Sequence, residues 1–174
     1  TGSCNVAVGK DALSNNTSAN HNTAIGFQSL LANTTGAQNV STGTCSLRGN
    51  TTGSNSAAFG FCALASGTTA NLNTAIGNFA LKTTQNGCKN TAVGYQSMFD
   101  ATSAECNVAL GAYSLANNTT ADFNTALGTC SMLTNTTGTC NTAVGTNALF
   151  SNTTAVGNTA VGMNSLDANT EGFN

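Results

Sequence analysis

The chain has 174 residues, of which only ten are charged; its net charge is −2, and it contains no proline or tryptophan. That balance excludes phosphate-backbone binding through a basic surface, so no nucleic-acid partner is expected. No apolar run of about 18 residues is present to cross a bilayer and no signal peptide is recognisable, so no membrane insertion is expected.

One glycine returns at every seventeenth position along the whole chain: Gly9, Gly26, Gly43, Gly60, Gly77, Gly94, Gly111, Gly128, Gly145 and Gly162. An unbroken period of this kind marks a stacked repeat, in which each unit buries its apolar side only against its neighbours. It predicts a single array over residues 1–174 and argues against a function located in one pocket. Low charge with abundant Asn, Gly and Ser also suits disorder, but a disordered chain does not hold Leu or Met at one fixed position.

With each repeating glycine counted as zero, a coil opens on Asn at −4, where Ser56 is the exception. Position −2 is Ala except at Ser41, and −1 is Val, Ile, Leu or Phe except at Thr42. The segment −3 to −1 alternates as a strand does: −3 and −1 share one face and −2 lies on the other. β-Branched residues suit that conformation. The glycine then turns the chain where a side chain would collide or a positive φ is required. Position +3 is Ala or Ser, +4 is Leu or Met, +7 is usually Asn, +8 is Thr except at Gln85, and +10 is Gly or Ala. Asn-Thr-Thr-Gly therefore predicts a second short strand and a second corner. Helical repeats run above about 30 residues, so a unit this short has no room for a helix pair.

The pattern predicts an all-β parallel solenoid of about ten coils, stacked at about 4.8 Å, on the order of 50 Å long. Its core column is Leu13, Leu30, Leu47, Leu64, Leu81, Met98, Leu115, Met132, Leu149 and Leu166. Asn at −4 and +7 is expected to stack on itself from coil to coil, each amide donating to one rung and accepting from the next. Thr1 falls at +9 and Asn174 at +12, and neither end carries an atypical capping repeat. An uncapped solenoid exposes unpaired strand edges. A segment of a longer fibre, or a subunit that stacks head to tail, is expected.

The units Asn90 to Gly94, Asn141 to Gly145 and Asn158 to Gly162, and the longer Asn90 to Met98 (Asn-Thr-Ala-Val-Gly-Tyr-Gln-Ser-Met), resemble known arrays. They are similar to the repeats of YadA-like trimeric adhesin heads, and more so to those of phage tail-fibre and surface-fibre proteins. The resemblance covers the whole chain. It implies left-handed parallel β-rolls, often homotrimeric, serving as stalks or adhesive heads outside cells or virions. The adhesin unit is shorter than the repeat found here and seldom carries so many cysteines. Ala at −2 has two readings: a close protein–protein face such as a trimer requires, or a site where nothing larger fits beside the corner.

Cys45 and Cys62 share position +2 on consecutive coils, within disulfide reach. Cys88 (+11) and Cys106 (+12) are also on consecutive coils. Both pairs are expected to bridge, which places the chain in an oxidising, extracellular setting. Cys4, Cys130 and Cys140 have no evident neighbour and are left to pair between protomers or stay unpaired. Asn16, Asn33, Asn50, Asn118, Asn135 and Asn152 begin glycosylation sequons, as do Asn15, Asn39 and Asn117; a repeating Asn-Thr-Thr-Gly corner also generates sequons for free. Phe27, Phe61, Phe79, Tyr95, Phe99, Tyr113, Phe123 and Phe150 fall at variable positions and are either ordinary surface residues or lateral anchors between protomers.

Little supports catalysis. His21 is the only histidine, and it sits at a variable position. Glu105 and Asp122 share +11, but two carboxylates make a poor cation site. Neither cofactor nor metal site is expected. The expected function is a non-enzymatic extracellular structural or adhesive fibre on a cell or virion surface. Its expected partners are itself (a homotrimer or head-to-tail filament) and surface glycans or a host receptor. The alternative is an ice-binding solenoid presenting the Thr row at +8. A polysaccharide-cleaving β-helix would need longer coils and more carboxylates.

Overall fold

The structure, a computed structural model, describes residues 2–170 and Gly172. Thr1 and Asn174, where the sequence cuts through a coil, lie outside the described residues. Ten short strands follow one another: β1 (Val6–Val8), β2 (Thr23–Ile25), β3 (Val40–Thr42), β4 (Ala57–Phe59), β5 (Thr74–Ile76), β6 (Thr91–Val93), β7 (Val108–Leu110), β8 (Thr125–Leu127), β9 (Thr142–Val144) and β10 (Thr159–Val161). They form one sheet in chain order with every pairing parallel. Each partner lies one full period further on, so Thr91 faces Val108, Ala92 faces Ala109 and Val93 faces Leu110. No helix occurs among the described residues. The fold is a parallel β-solenoid in which one coil is one period of the sequence.

Each strand ends because the next residue is a glycine with φ between 122° and 136°, a region that L-residues avoid. At Gly94 a Cβ would lie 2.5 Å from the carbonyl oxygen of Gly111 on the next coil. Glycine is needed there for the backbone turn and also for the close approach of coils. The predicted second strand through Asn-Thr-Thr-Gly is absent. That segment is bend and coil, tied to the next coil by bonds such as Thr34 N–H to the Thr51 carbonyl at 2.9 Å.

Among the described residues, three further positions of the coil are left-handed: +2, +4 and +12. All ten Leu and Met residues at +4 have φ between 48° and 53°. A left-handed residue with a Cβ costs about 1–2 kcal/mol, and a β-branched one is a genuine outlier. This explains why the core column uses Leu and Met and never Val or Ile. The stack holds the strained residue in place: the Leu81 N–H donates to the Ser97 carbonyl at 3.0 Å and the Met98 N–H to Ser114 at 2.9 Å.

The core is narrow. Leu30 through Leu149 in the +4 column are wholly buried, whereas Leu166 is 37 % exposed because only one neighbouring coil covers it. Ala at −2 lies against this column, fully buried in β2 and in β4 through β9. The reading of that alanine as a protein–protein face is therefore overturned. The interior opposite +4 is one methyl wide, and alternation turns the larger −3 and −1 side chains outward.

Candidate functional site

Buried amides organise the interior. Along the −4 column, the Asn124 N–H donates to Asn107 Oδ1 (2.9 Å), while Asn107 Nδ2 donates to the Ala121 carbonyl (2.9 Å). Along the +7 column, Asn50 Nδ2 donates to Asn33 Oδ1 (2.9 Å) and Asn152 Nδ2 to Asn135 Oδ1 (2.7 Å). The predicted ladders are thus present, and they satisfy groups that water cannot reach. The +7 ladder is interrupted where Gly67, Thr84 and Ala101 replace Asn. Asn50 Oδ1 at the edge of the gap and Thr84 Oγ1 within it are buried and without a partner.

The ladder corrects the glycosylation expectation. Asn33, Asn50, Asn118, Asn135 and Asn152 are wholly buried, as is Asn39. Asn16 is half-buried, with its amide donating to the Ala19 carbonyl. None of these folded amides offers a free nitrogen to a glycan. Of the sequon asparagines only Asn15 and Asn117 are exposed.

The disulfide expectation is corrected as well, because all seven cysteines are free thiols. Cys45 and Cys62 share nearly the same backbone conformation (φ 57° and 53°) on consecutive coils, and their side chains lie against each other as thiols. Cys88 and Cys106 leave the ribbon from different positions, +11 and +12, and the Cys106 N–H donates to the Cys88 carbonyl at 3.1 Å. Burial, and then the adjacent Cys45, push the Cys62 thiol above the usual thiol range. Burial, and then the Glu105 carboxylate, do the same to Cys88. Cys4 and Cys140 are exposed at +12, and Cys130 is half-buried at +2.

The acidic pair resolves into a backbone contact: the Glu105 N–H donates to Asp122 Oδ1 at 2.7 Å. Asn71 and Asn20 accept from Ser54 and Ser3 in the same way, so +11 is a stacking position. Among the described residues no three His, Cys, Asp or Glu side chains come close enough to hold a metal ion. His21 is exposed. One depression is lined by Asn147, Phe150, Ser151, Asn164, Asp167 and Ala168, another by Leu31, Ala32, Arg48, Gly49 and Ala65. Each holds a single charged side chain.

Two exterior features remain. The first is the strand face, where the −1 column is apolar and open to solvent: Val8 57 %, Ile25 40 %, Phe59 40 %, Ile76 41 %, Leu110 42 % and Val161 70 % exposed. Beside it, −3 carries Thr in six coils and Val or Ala in the others. Sequence reasoning missed this face; its signal is that −1 varies freely in size while −2 never exceeds Ser. The second is an aromatic zigzag past the glycine corner, alternating between +1 and +2. Phe61 meets Phe79 at 5.2 Å, Phe79 meets Tyr95 at 6.2 Å and Tyr95 meets Tyr113 at 5.4 Å, each pair edge to face. Lys82 Nζ lies 5.2 Å over Phe79 and 5.1 Å over Phe99. Phe27 and Phe123 are exposed outside this group.

No protein family matches the chain, and neither a curated protein nor a solved structure is significantly similar to it. The fold therefore defines the class, a tandem-repeat β-solenoid.

Proposed function

We propose that the chain is a non-enzymatic structural or adhesive fibre protein, working outside the cell or on a virion surface. The observation that carries this reading is the constant register: ten strands, each paired to the one a single period later, with no insertion to house a pocket. A solenoid of this kind is a rod whose length is set by coil number. Its partner in this reading is a further copy of itself, laid side by side on the apolar −1 column or stacked head to tail. Placement outside the cell rests on the likeness of Asn90 to Met98 to surface-fibre repeats; the free thiols give it no support. Negative-stain microscopy and sedimentation of native material test the proposal. Long thin filaments or lateral bundles are expected, and well-behaved single rods at every concentration would refute it.

A second reading, ice binding, keeps one favourable observation. The Thr side chains at −3 (Thr23, Thr74, Thr91, Thr125, Thr142 and Thr159) point outward from a regular sheet. The row first expected at +8 does not serve, since its hydroxyls donate to the next coil's backbone, as in Thr34 Oγ1 to the Thr51 carbonyl at 2.9 Å. Absence of thermal hysteresis on a cold stage eliminates this reading.

A further inference from the structure

The corner columns +1 and +2 carry a local specialisation in the four coils from Gly60 to Gly111. Reading up +1, the side chains are Phe61, Asn78, Tyr95 and Ala112; reading up +2, they are Cys62, Phe79, Gln96 and Tyr113. Aromatic rings and side-chain amides thus interleave, and none of these eight residues carries a charge at neutral pH. Phe61, Tyr95 and Tyr113 are 44 %, 43 % and 38 % exposed. Phe79 is half-buried, meets Phe61 and Tyr95 edge to face and carries Lys82 over its ring.

We propose that this ladder binds a neutral, β-1,4-linked polysaccharide lying along the solenoid axis. A pyranose has apolar C–H faces and a hydroxyl rim, so it is recognised by aromatic faces alternating with amides, the pattern shown here. Rings in one column recur every second coil, about 9.6 Å apart at the parallel-strand spacing. An extended β-1,4-linked chain turns successive sugars over, so like faces recur every second sugar. That makes a two-coil step commensurate with a disaccharide. Within these four coils neither column holds a charged side chain, and the neighbouring Lys82 ammonium is engaged over the Phe79 and Phe99 rings, so a neutral polymer fits better than an acidic one. A second copy of the chain is the less fitting occupant, because contacts between parallel rods would recur in every coil, as the −1 column does.

This deepens the adhesive side of the fibre reading and rests on it, yet its test needs no filaments. Dispersed protein is run in native gels containing hydroxyethylcellulose or dextran, and titrated calorimetrically with cellohexaose. Retardation by hydroxyethylcellulose but not by dextran is expected. The double variant Tyr95→Ala/Tyr113→Ala weakens binding on the order of tenfold or more; Tyr95→Trp retains it, as does Phe27→Ala, which removes an exposed ring outside the ladder. Failure of cellohexaose and hydroxyethylcellulose to bind overturns the proposal. So does equal loss in Phe27→Ala, or a double variant that binds normally while its sedimentation shows lost self-association. Binding by rods that never form filaments would sink the fibre and leave the ladder standing.

Discussion

The left-handed core residue gives the sharpest test of the fold. Leu81 is wholly buried with φ 51°, between Leu64 below and Met98 above. If packing alone chose this column, Leu81→Ile and Leu81→Met would be equally mild, since both conserve volume and such swaps cost less than about 1.5 kcal/mol. The backbone argues otherwise. A left-handed L-residue already carries about 1–2 kcal/mol of strain, and branching at Cβ crowds the carbonyl further while χ1 is stiff. Moving Leu81 back to a relaxed φ is blocked, because its N–H is bonded to Ser97 and its carbonyl accepts from Thr84 N–H at 3.3 Å. Leu81→Met is therefore expected to cost about 1 kcal/mol or less, as Met98 and Met132 already show in the same column. Leu81→Ile is expected to cost roughly 2–3 kcal/mol more than the Met variant. Urea unfolding followed by circular dichroism, with equal m-values confirming comparable transitions, reads the difference. Isoleucine and methionine variants within about 0.5 kcal/mol of each other would refute the claim that backbone conformation, and not packing, selects the column.

Other positions separate further contributions. Gly94→Ala combines a forbidden φ with a Cβ 2.5 Å from the Gly111 oxygen and should cost roughly 3–5 kcal/mol. Gly162→Ala, with φ 122° and nothing within 4 Å of its Cβ, should cost no more than about 1–3 kcal/mol; equal losses in thermal melts would show that coil approach is irrelevant. Gly157 occupies the left-handed +12 position where other coils carry His21, Asn55 or Cys106. Gly157→Asn should accordingly be neutral or stabilise by a few tenths to about 1 kcal/mol, and a clear drop in midpoint would contradict the assigned conformation. Asn107→Ala strips an acceptor from Asn124 N–H and a donor from the Ala121 carbonyl, for about 2–4 kcal/mol. Asn107→Ser should lose less, because Ser56 already accepts from Asn73 N–H through its hydroxyl at 3.2 Å; no difference between the two would argue against the ladder. The Cys62 thiol pKa is raised in the folded chain, so its contribution to stability is complete below the unfolded thiol value, about 8.5, and falls as pH climbs through the folded one. Maleimide labelling of the unaltered chain, read at Cys62 by peptide mass spectrometry, should show a rate midpoint above that of free cysteine, and a midpoint at or below it would reverse the sign.

Parts of the chain were legible for one reason: stacking repeats each physical demand once per coil. The corner glycines stand out because Gly94 tolerates no Cβ, and the +4 column because Leu81 must be both apolar and unbranched. What misled was residue type read without its orientation. Asn33, Asn50 and Asn135 begin sequons, and in most loops such asparagines face water; here the same amides are the interior rungs. Stacked cysteines suggested bridges, yet matching register brings thiols together without joining them, and all seven stay free. The alternation −3, −2, −1 was correctly a strand, but its phase is fixed by wall thickness and not by hydrophobicity. A solenoid with Leu81 on one wall leaves only a methyl's depth at Ala92 and Ala75 on the other, so the larger apolar residues go outside.

That inversion links the fold to the proposed function. In an ordinary domain an exposed column of Val8, Ile25, Phe59, Ile76, Leu110 and Val161 would be an aggregation liability. A solenoid this thin has no interior in which to place them, and each β-branched residue also favours the extended backbone of its strand. The sequence nevertheless does not dilute the face with charge: no Lys, Arg, Asp or Glu occupies −3 or −1 in any coil. Charged side chains are a common guard against unwanted β-sheet association, lysine above all at sheet edges. A sheet left unguarded over all ten strands is consistent with a surface selected to be covered. Val93→Lys with Val144→Lys tests this directly. Both residues are half-buried and outward on β6 and β9, so the fold should survive while lateral bundling is lost. Bundles that persist in the lysine variant would place the contact elsewhere on the rod.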